Sequence, residues 1–304
     1  MPSLQHTLFK LSAVQLRKAI SMDISQIAGL RRVLDISSVA LYLPMGVSSR
    51  SMQVNGVPAE WLSYAGADPA SVLLFLHGGG YAVGSPQTHR GLAGRIAQES
   101  GIPALLIDYR LAPEHPFPAA LQDAVHAYQW LLEEGYAPER IVLAGDSAGG
   151  GLCLSTLLSL RELALPLPRA CVCLSPWVDL SFSGESAQRF AEEDPIVSVK
   201  EVRNWAHAYA GDYPVGHPMI SPLFADLGGL PPVLIQASEN EVLSDDALRL
   251  AQRLQAAGNP VELQTWAGVL HVWQLFWRLV PEAEEAIEQI GAFIGEQLAR
   301  RQAA

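Results

Sequence analysis

Three short stretches carry the residue types of a nucleophile, an anion site and a base. "VLAGDSAGG" runs an apolar, strand-like segment into Gly145-Asp146-Ser147-Ala148-Gly149 and then into a helical pattern. A serine on such a bend can attack an acyl carbon: the strained turn exposes its hydroxyl, and the flanking glycines admit close backbone. The first N–H groups of the helix that follows have no partner within it and can face a developing oxyanion. Read alone, the pattern is weak and equally describes a glycine-rich turn with an inert serine; the strand before and helix after make it specific. "LFLHGGGYAVGS" places His77-Gly78-Gly79-Gly80 after another apolar run, upstream of Ser147. Consecutive glycines can turn several N–H groups toward one point, as oxyanion chemistry requires. A phosphate-binding loop is excluded, because no Lys-Ser/Thr follows and no helix starts at once. His77 itself reads as a structural hydrogen-bonder. His271, in "VELQTWAGVLHVWQLF", lies between the last strand-like run and the final helical pattern, completing the chain order Ser, acid, His. The other histidines lack such a position.

The base needs a carboxylate, and "ASENEVLSDDA" at 237–247 offers four. An acid that meets His271 must sit in the loop just past the end of the run "PPVLIQAS". Glu239 follows the strand immediately and can point into solvent. Asp245 and Asp246 precede the helical pattern "ALRLAQRLQAAG" and read as cap and first-turn acids favoured by the helix dipole. That leaves Glu241 as the first choice, with Asp245, Asp246 and Glu239 as alternatives.

The elements that must position these residues follow from the hydrophobic pattern. Asn55-Gly56 between two strand-like runs signals a type I′ hairpin. "SVLLFLH", "IPALLIDYR", "RIVLAGDS", "ACVCLSP", "PPVLIQAS" and "PVELQTW" are mostly continuous apolar runs, as strands covered on both faces are. Helical patterns lie between them, including 119–135, 149–162, 245–257 and 282–300. Strand–helix alternation predicts an α/β fold with a mainly parallel sheet and antiparallel strands at one edge. The stretch between Leu180 and Leu223 breaks the rhythm, and an insertion that long is often a lid. The expected organisation is N-terminal cap helices at 1–45, a catalytic domain at 46–180 and 221–304, and a cap insertion at 181–220.

Composition narrows the partners. The 304 residues are 49% hydrophobic and carry a formal charge of −11, with no basic cluster, which argues against nucleic acid. Cys153, Cys171 and Cys173 lie in apolar runs without metal-ligand spacing and read as buried free thiols of a reducing compartment. The N-terminal "MPSLQHTLFKLSAVQLRKAISM" reads as an amphipathic helix and not a secretion signal, and no window resembles a membrane span. The expectation is a soluble cytoplasmic protein with no cofactor, no metal and no membrane partner. An exposed sheet edge would allow a homodimer.

The motifs "HGGGY", "DYRLAPEHPFPAALQDAVHAYQWL", "GDSAGG", "SPWVDLS" and "DPIVS" resemble, in order and spacing, the hormone-sensitive-lipase-like esterases of the α/β-hydrolase fold. The resemblance runs from about residue 65 to 295. It implies an eight-stranded sheet, a helical cap and cofactor-free hydrolysis of carboxylic esters. Matched by position, it implies Ser147 as nucleophile, His271 as base, and Gly79, Gly80 and Ala148 as oxyanion donors, with Gly78 a further candidate. Glu241 falls where the family's acid-Pro-Leu-x-Asp pattern places its acid. Two departures stand out: the family's acid is usually Asp before Pro, and its histidine usually precedes Gly-Phe, whereas this chain has Glu241-Val242 and His271-Val272-Trp273.

Three functions fit these residues. A serine carboxylesterase acting on short-to-medium acyl esters is the first. An amidase or lactonase with the same triad is the second. A non-catalytic small-molecule receptor on the same fold is the third, and the presence of His271 argues against it.

Overall fold

The computed structural model describes residues 2–19, 23–38 and 42–300. Its centre is an eight-stranded sheet in the order β1-β2-β4-β3-β5-β6-β7-β8. The strands are β1 (Val47–Val54), β2 (Val57–Tyr64), β3 (Val72–Leu76), β4 (Ala104–Ile107), β5 (Ile141–Asp146), β6 (Ala170–Leu174), β7 (Val233–Ser238) and β8 (Val261–Trp266). The hairpin β1–β2 and the pair β2–β4 are antiparallel, and the remaining neighbours are parallel. Asn55 and Gly56 both have positive φ (45° and 84°), as a type I′ turn demands. Each of the six apolar runs is a strand.

Continuous apolar strands follow from cover on both faces. The helices are α1 (Leu4–Ala19), α2 (Ile27–Ser37), α3 (Pro86–Ser100), α4 (Ala119–Glu133), α5 (Ala148–Glu162), α6 (Ser186–Arg189), α7 (Val199–Ala210), α8 (Ser244–Ala256) and α9 (Pro281–Ala299). Along β3, Val72, Leu74 and Leu76 join the core that contains Leu152 and Leu157 of α5 and Leu250 of α8. Leu73 and Phe75 join the opposite core, with Ile96 of α3 and Ile290 of α9. Neither face of the central strands meets water, so neither needs a polar residue. Cys153, Cys171 and Cys173 are buried free thiols in the first of these cores.

The start of α8 corrects one expectation. Asp245 and Asp246 are in its first turn, but neither caps it: the N-cap is Leu243, without a side-chain bond. The helix begins one residue early, and its end is packed inside the protein. Asp246 is buried, and its Oδ2 accepts from the N–H groups of Val178 (2.9 Å) and Asp179 (2.8 Å). Asp245 accepts from Ser186 N–H (2.9 Å). Both acids therefore tie α8 to the loops that follow β6. Burial, with Asp179 nearby, pushes the Asp246 carboxyl well above the usual carboxylate range. Its neutral form is matched in shape by asparagine. Asp246→Ala should destabilise the protein, since each orphaned buried donor costs about 1–3 kcal/mol, while Asp246→Asn should cost far less. Denaturant melts of the two variants check this; equal losses would mean that the carbonyl acceptor is not what matters.

Candidate active site

Ser147 occupies the turn between β5 and α5 with φ 51° and ψ −119°, a conformation that non-glycine residues adopt only when the surroundings impose it. Those surroundings are tight. A Cβ on Gly145 would lie 2.5 Å from Gly149 O, and one on Gly149 would lie 2.0 Å from Leu76 O. Both flanking glycines are thus required by close backbone approach. Ser147 N–H donates to Leu174 O (2.8 Å), which pins the turn to the neighbouring strand.

Two residues from distant loops meet this serine. His271 Nε2 is 3.0 Å from Ser147 Oγ, and His271 Nδ1 is 2.5 Å from Glu241 Oε2. The other carboxylate oxygen of Glu241 accepts from Ser238 N–H (2.9 Å), at the end of β7. Glu241 and His271 are both buried. A carboxylate is an acceptor only, so His271 carries its proton on Nδ1 and turns the Nε2 lone pair toward Ser147. Burial would lower the His271 pKa, but the adjacent Glu241 carboxylate outweighs it, and the net direction is upward. Glu239 instead accepts from Thr265 Oγ1 (3.1 Å) on the exposed side of the sheet edge.

The glycine loop packs against the turn. Gly78 N–H donates to Asp146 Oδ1 (2.9 Å), so Gly78 is engaged and unavailable to an oxyanion. Among the described residues no acceptor takes the N–H of Gly79, Gly80 or Ala148. Gly79 and Gly80 line the same cavity as Ser147 and have positive φ (118° and 60°). His77 is structural: it stacks on Tyr109 (4.1 Å), its Nδ1 lies 2.8 Å from Gly78 O, and burial lowers its pKa to about 3. A Cβ on Gly79 would lie 2.2 Å from Val83 O, which is backbone and cannot yield cheaply. Gly79→Ala should therefore lower kcat by about 10²–10³, as loss of one oxyanion donor does, and lower Tm with it. Unchanged kinetics and melting together would remove Gly79 from the site.

The supporting roles of three further residues were not legible in the sequence. Asp146 holds the glycine loop and lies 3.3 Å from His89 Nε2. Asp194, in the insertion, is buried and accepts from Val242 N–H (3.0 Å), gripping the loop that carries Glu241. Its Asp-Pro pair was the available signal. Val272 is the third: it sits in the left-handed region (φ 47°, ψ 49°), where a β-branched residue is strained by about 1–3 kcal/mol. The resemblance places glycine there. The buried Val272 side chain, in the core with Leu174 and Leu234, and its N–H to Ser175 Oγ (3.3 Å) hold the conformation.

A cavity of about 560 Å³ opens above Ser147. Its walls are mainly apolar: Trp177, Phe182 and Trp205 from the segments after β6, and Leu30 and Leu34 from α2. Ser12 and Ala13 of α1 also line it. Among the described residues no group of three or more His, Cys, Asp or Glu side chains is placed to hold a metal ion. No described helix is long and apolar enough to cross a membrane.

A mostly parallel eight-stranded sheet with a serine on the β5–α5 turn defines an α/β-hydrolase. A family model of the alpha/beta hydrolase fold matches residues 73–275. The chain is 45% identical over 236 residues to an acetyl-hydrolase of Streptomyces hygroscopicus, covering 78% of this chain and 79% of that one. The crystal structure of an esterase from the bacterial hormone-sensitive lipase family superposes with a TM-score of 0.94 at 43% identity, covering 98% of this chain and 100% of the other. EstE5, in a crystal soaked with p-nitrophenyl butyrate, superposes with a TM-score of 0.91 at 37% identity, over 98% and 100% of the two chains. The chain belongs to the hormone-sensitive-lipase-like bacterial esterases of the α/β-hydrolase fold, and its enzyme class is carboxylic ester hydrolase.

Proposed function

We propose that this enzyme hydrolyses short-to-medium acyl esters through an acyl-enzyme on Ser147, with His271 as base and Glu241 as the acid that orients it. The observation that supports this reading is the unbroken line from Glu241 Oε2 through His271 to Ser147 Oγ, at 2.5 and 3.0 Å. His271 Nε2 takes the Ser147 proton as Oγ attacks the ester carbonyl. The tetrahedral oxyanion is held by the N–H groups of Gly79, Gly80 and Ala148. His271 then returns the proton to the leaving alcohol, and water repeats the sequence on the acyl-enzyme. Residues 1–45 and 181–220 act as the cap, and the cap side chains that line the cavity, among them Ala13, Leu30, Leu34, Phe182 and Trp205, shape the acyl and alcohol pockets.

The acyl range is supported by the walled cavity and by the relatives: one is an acetyl-hydrolase, and another was soaked with a butyrate ester. A panel of p-nitrophenyl esters from acetate to palmitate, with an anilide beside it, tests the proposal. The highest kcat/KM is expected among the short and medium chains, with the anilide far slower. A palmitate optimum would overturn the acyl assignment. An anilide rate equal to the ester rate would favour the amidase reading.

A further inference from the structure

The run His77-Gly78-Gly79-Gly80-Tyr81 ends in a residue with no part in the triad or the oxyanion hole. Tyr81 follows Gly79 and Gly80 and shares their positive φ, at 118°, 60° and 59° in succession. Glycine enters this region freely, but a bulky tyrosine is strained there and stays only where its surroundings impose the shape. Its carbonyl accepts from Ala112 N–H (2.8 Å), and its hydroxyl has no hydrogen-bond partner among the described residues.

The surroundings come from two separate helices, one in each part of the proposed cap. The Tyr81 ring lies flat on the ring of Tyr209 in α7, with centroids 3.7 Å apart and planes 4° apart. Both tyrosines are buried, and the Tyr209 hydroxyl is likewise unpartnered among the described residues, so the contact is ring on ring. Phe117 meets Tyr209 edge-on at 6.1 Å, and its N–H donates to Tyr209 O (2.7 Å), which fixes the end of α7. One turn earlier on the same helix face, Trp205 covers the neighbouring glycine: a Cβ on Gly80 would lie 2.5 Å from Trp205 Cε3. From α2, Arg31 grips the next residue. Its Nε donates to Ala82 O (2.8 Å), a terminal nitrogen donates to Ala112 O (2.7 Å), and the guanidinium pairs with both oxygens of Glu114 (2.9 and 2.8 Å). A planar fork of five donors can serve these three groups at once. The segment Gly80-Tyr81-Ala82 is thus clamped from both sides.

We propose that Tyr209 and Arg31 are positioning residues for the oxyanion hole. By holding Tyr81 and Ala82 they keep Gly79 and Gly80 in the shape that aims their N–H groups at the tetrahedral oxyanion. Neither residue lines the cavity, so the effect needs no contact with substrate. Oxyanion donors act when charge develops, so a loosened loop lowers kcat and spares KM. The proposal rests on the acyl-enzyme reading with Gly79 and Gly80 as donors.

Tyr209→Leu, which stays apolar but removes the flat ring, and Tyr209→Phe, which keeps it, test the proposal when assayed well below their Tm. The leucine variant should lose about 10–10²-fold in kcat on p-nitrophenyl acetate and butyrate alike, with KM within about twofold, and the phenylalanine variant should match wild type. An alkyl trifluoromethyl ketone gives a second readout. Ser147 Oγ adds to its carbonyl carbon, the C=O π pair becomes an oxyanion, and the hydroxyl proton passes to His271. Its affinity therefore reads the oxyanion hole, whereas the corresponding secondary alcohol, which cannot form the adduct, reads the cavity alone. The ketone-to-alcohol affinity ratio should fall in Tyr209→Leu by the same factor as kcat/KM. Arg31→Gln, made at a partly exposed side chain outside the core, should lower that ratio about tenfold, and it decides the matter should the leucine variant not fold. A wild-type preference for the ketone that a folded Tyr209→Leu or Arg31→Gln retains overturns the proposal and leaves the acyl-enzyme reading standing. A wild type with no such preference sinks both. A leucine variant altered only in KM or chain-length preference would make Tyr209 a support of the pocket wall, and a phenylalanine variant as impaired as the leucine one would assign the effect to the hydroxyl. Either result overturns the proposal.

Discussion

Replacing Ser147 by alanine is expected to abolish ester hydrolysis, by on the order of 10⁶-fold in kcat, and to leave the fold intact. The size of the effect follows from the role: without Oγ no acyl-enzyme forms, and only the residual help of oxyanion donors and binding persists. The fold should survive because the strain at φ 51° is a backbone property that alanine inherits unchanged. The serine hydroxyl makes one side-chain bond, to His271 Nε2, on the wall of the cavity where water can replace it. Stability should therefore stay within about 1 kcal/mol of the parent. An organophosphate should label the peptide containing Ser147 and no other, and the alanine variant should take up none. Retention of more than a few per cent of kcat, or a label on a different serine, would refute the assignment.

What could be read from the sequence was what is encoded locally. All eight strands were legible because period, turn residues and apolar runs are written within each segment, as at Asn55-Gly56 and "SVLLFLH". Ser147 was legible for the same reason: its glycines, its strand and its helix are contiguous. His271 needed chain order as well, since a histidine beside Val272 and Trp273 has no local mark of function. Asp245 and Asp246 went the other way. Their sequence is that of a capped helix, and only the loops folded over α8, with Val178, Asp179 and Ser186, turn them into buried acceptors. Gly78 failed likewise: nothing in "HGGG" says that one glycine N–H goes to Asp146.

Glu241→Gln is expected to cut kcat by roughly 10³–10⁴ while keeping the fold, and the reason lies in Ser238. The two oxygens of Glu241 accept from two different donors, Ser238 N–H at 2.9 Å and His271 Nδ1–H at 2.5 Å. A glutamine has one oxygen. If it serves Ser238, the amide NH₂ faces Nδ1, which must then be unprotonated; the imidazole proton moves to Nε2 and the base is blocked toward Ser147. If the amide flips to serve His271, NH₂ is driven against the buried Ser238 N–H, and two donors confront each other. The first arrangement costs less, so the wrong tautomer dominates. The charge also goes. In the parent, Glu241 outweighs burial and holds the His271 pKa above its ordinary value, so kcat/KM should fall on the acid side as pH drops through that raised pKa. In the variant, burial is opposed only by the more distant Asp194 and Asp146, and the acid limb of the residual activity should move to lower pH. A tautomer effect without the charge effect would lower kcat and leave the limb in place. Asp245→Asn is the control, because Asp245 is bonded to Ser186 and not to the histidine. If that variant were inactive and the glutamine variant normal, the acid would be Asp245, and the geometry between Glu241 and His271 would have no catalytic meaning.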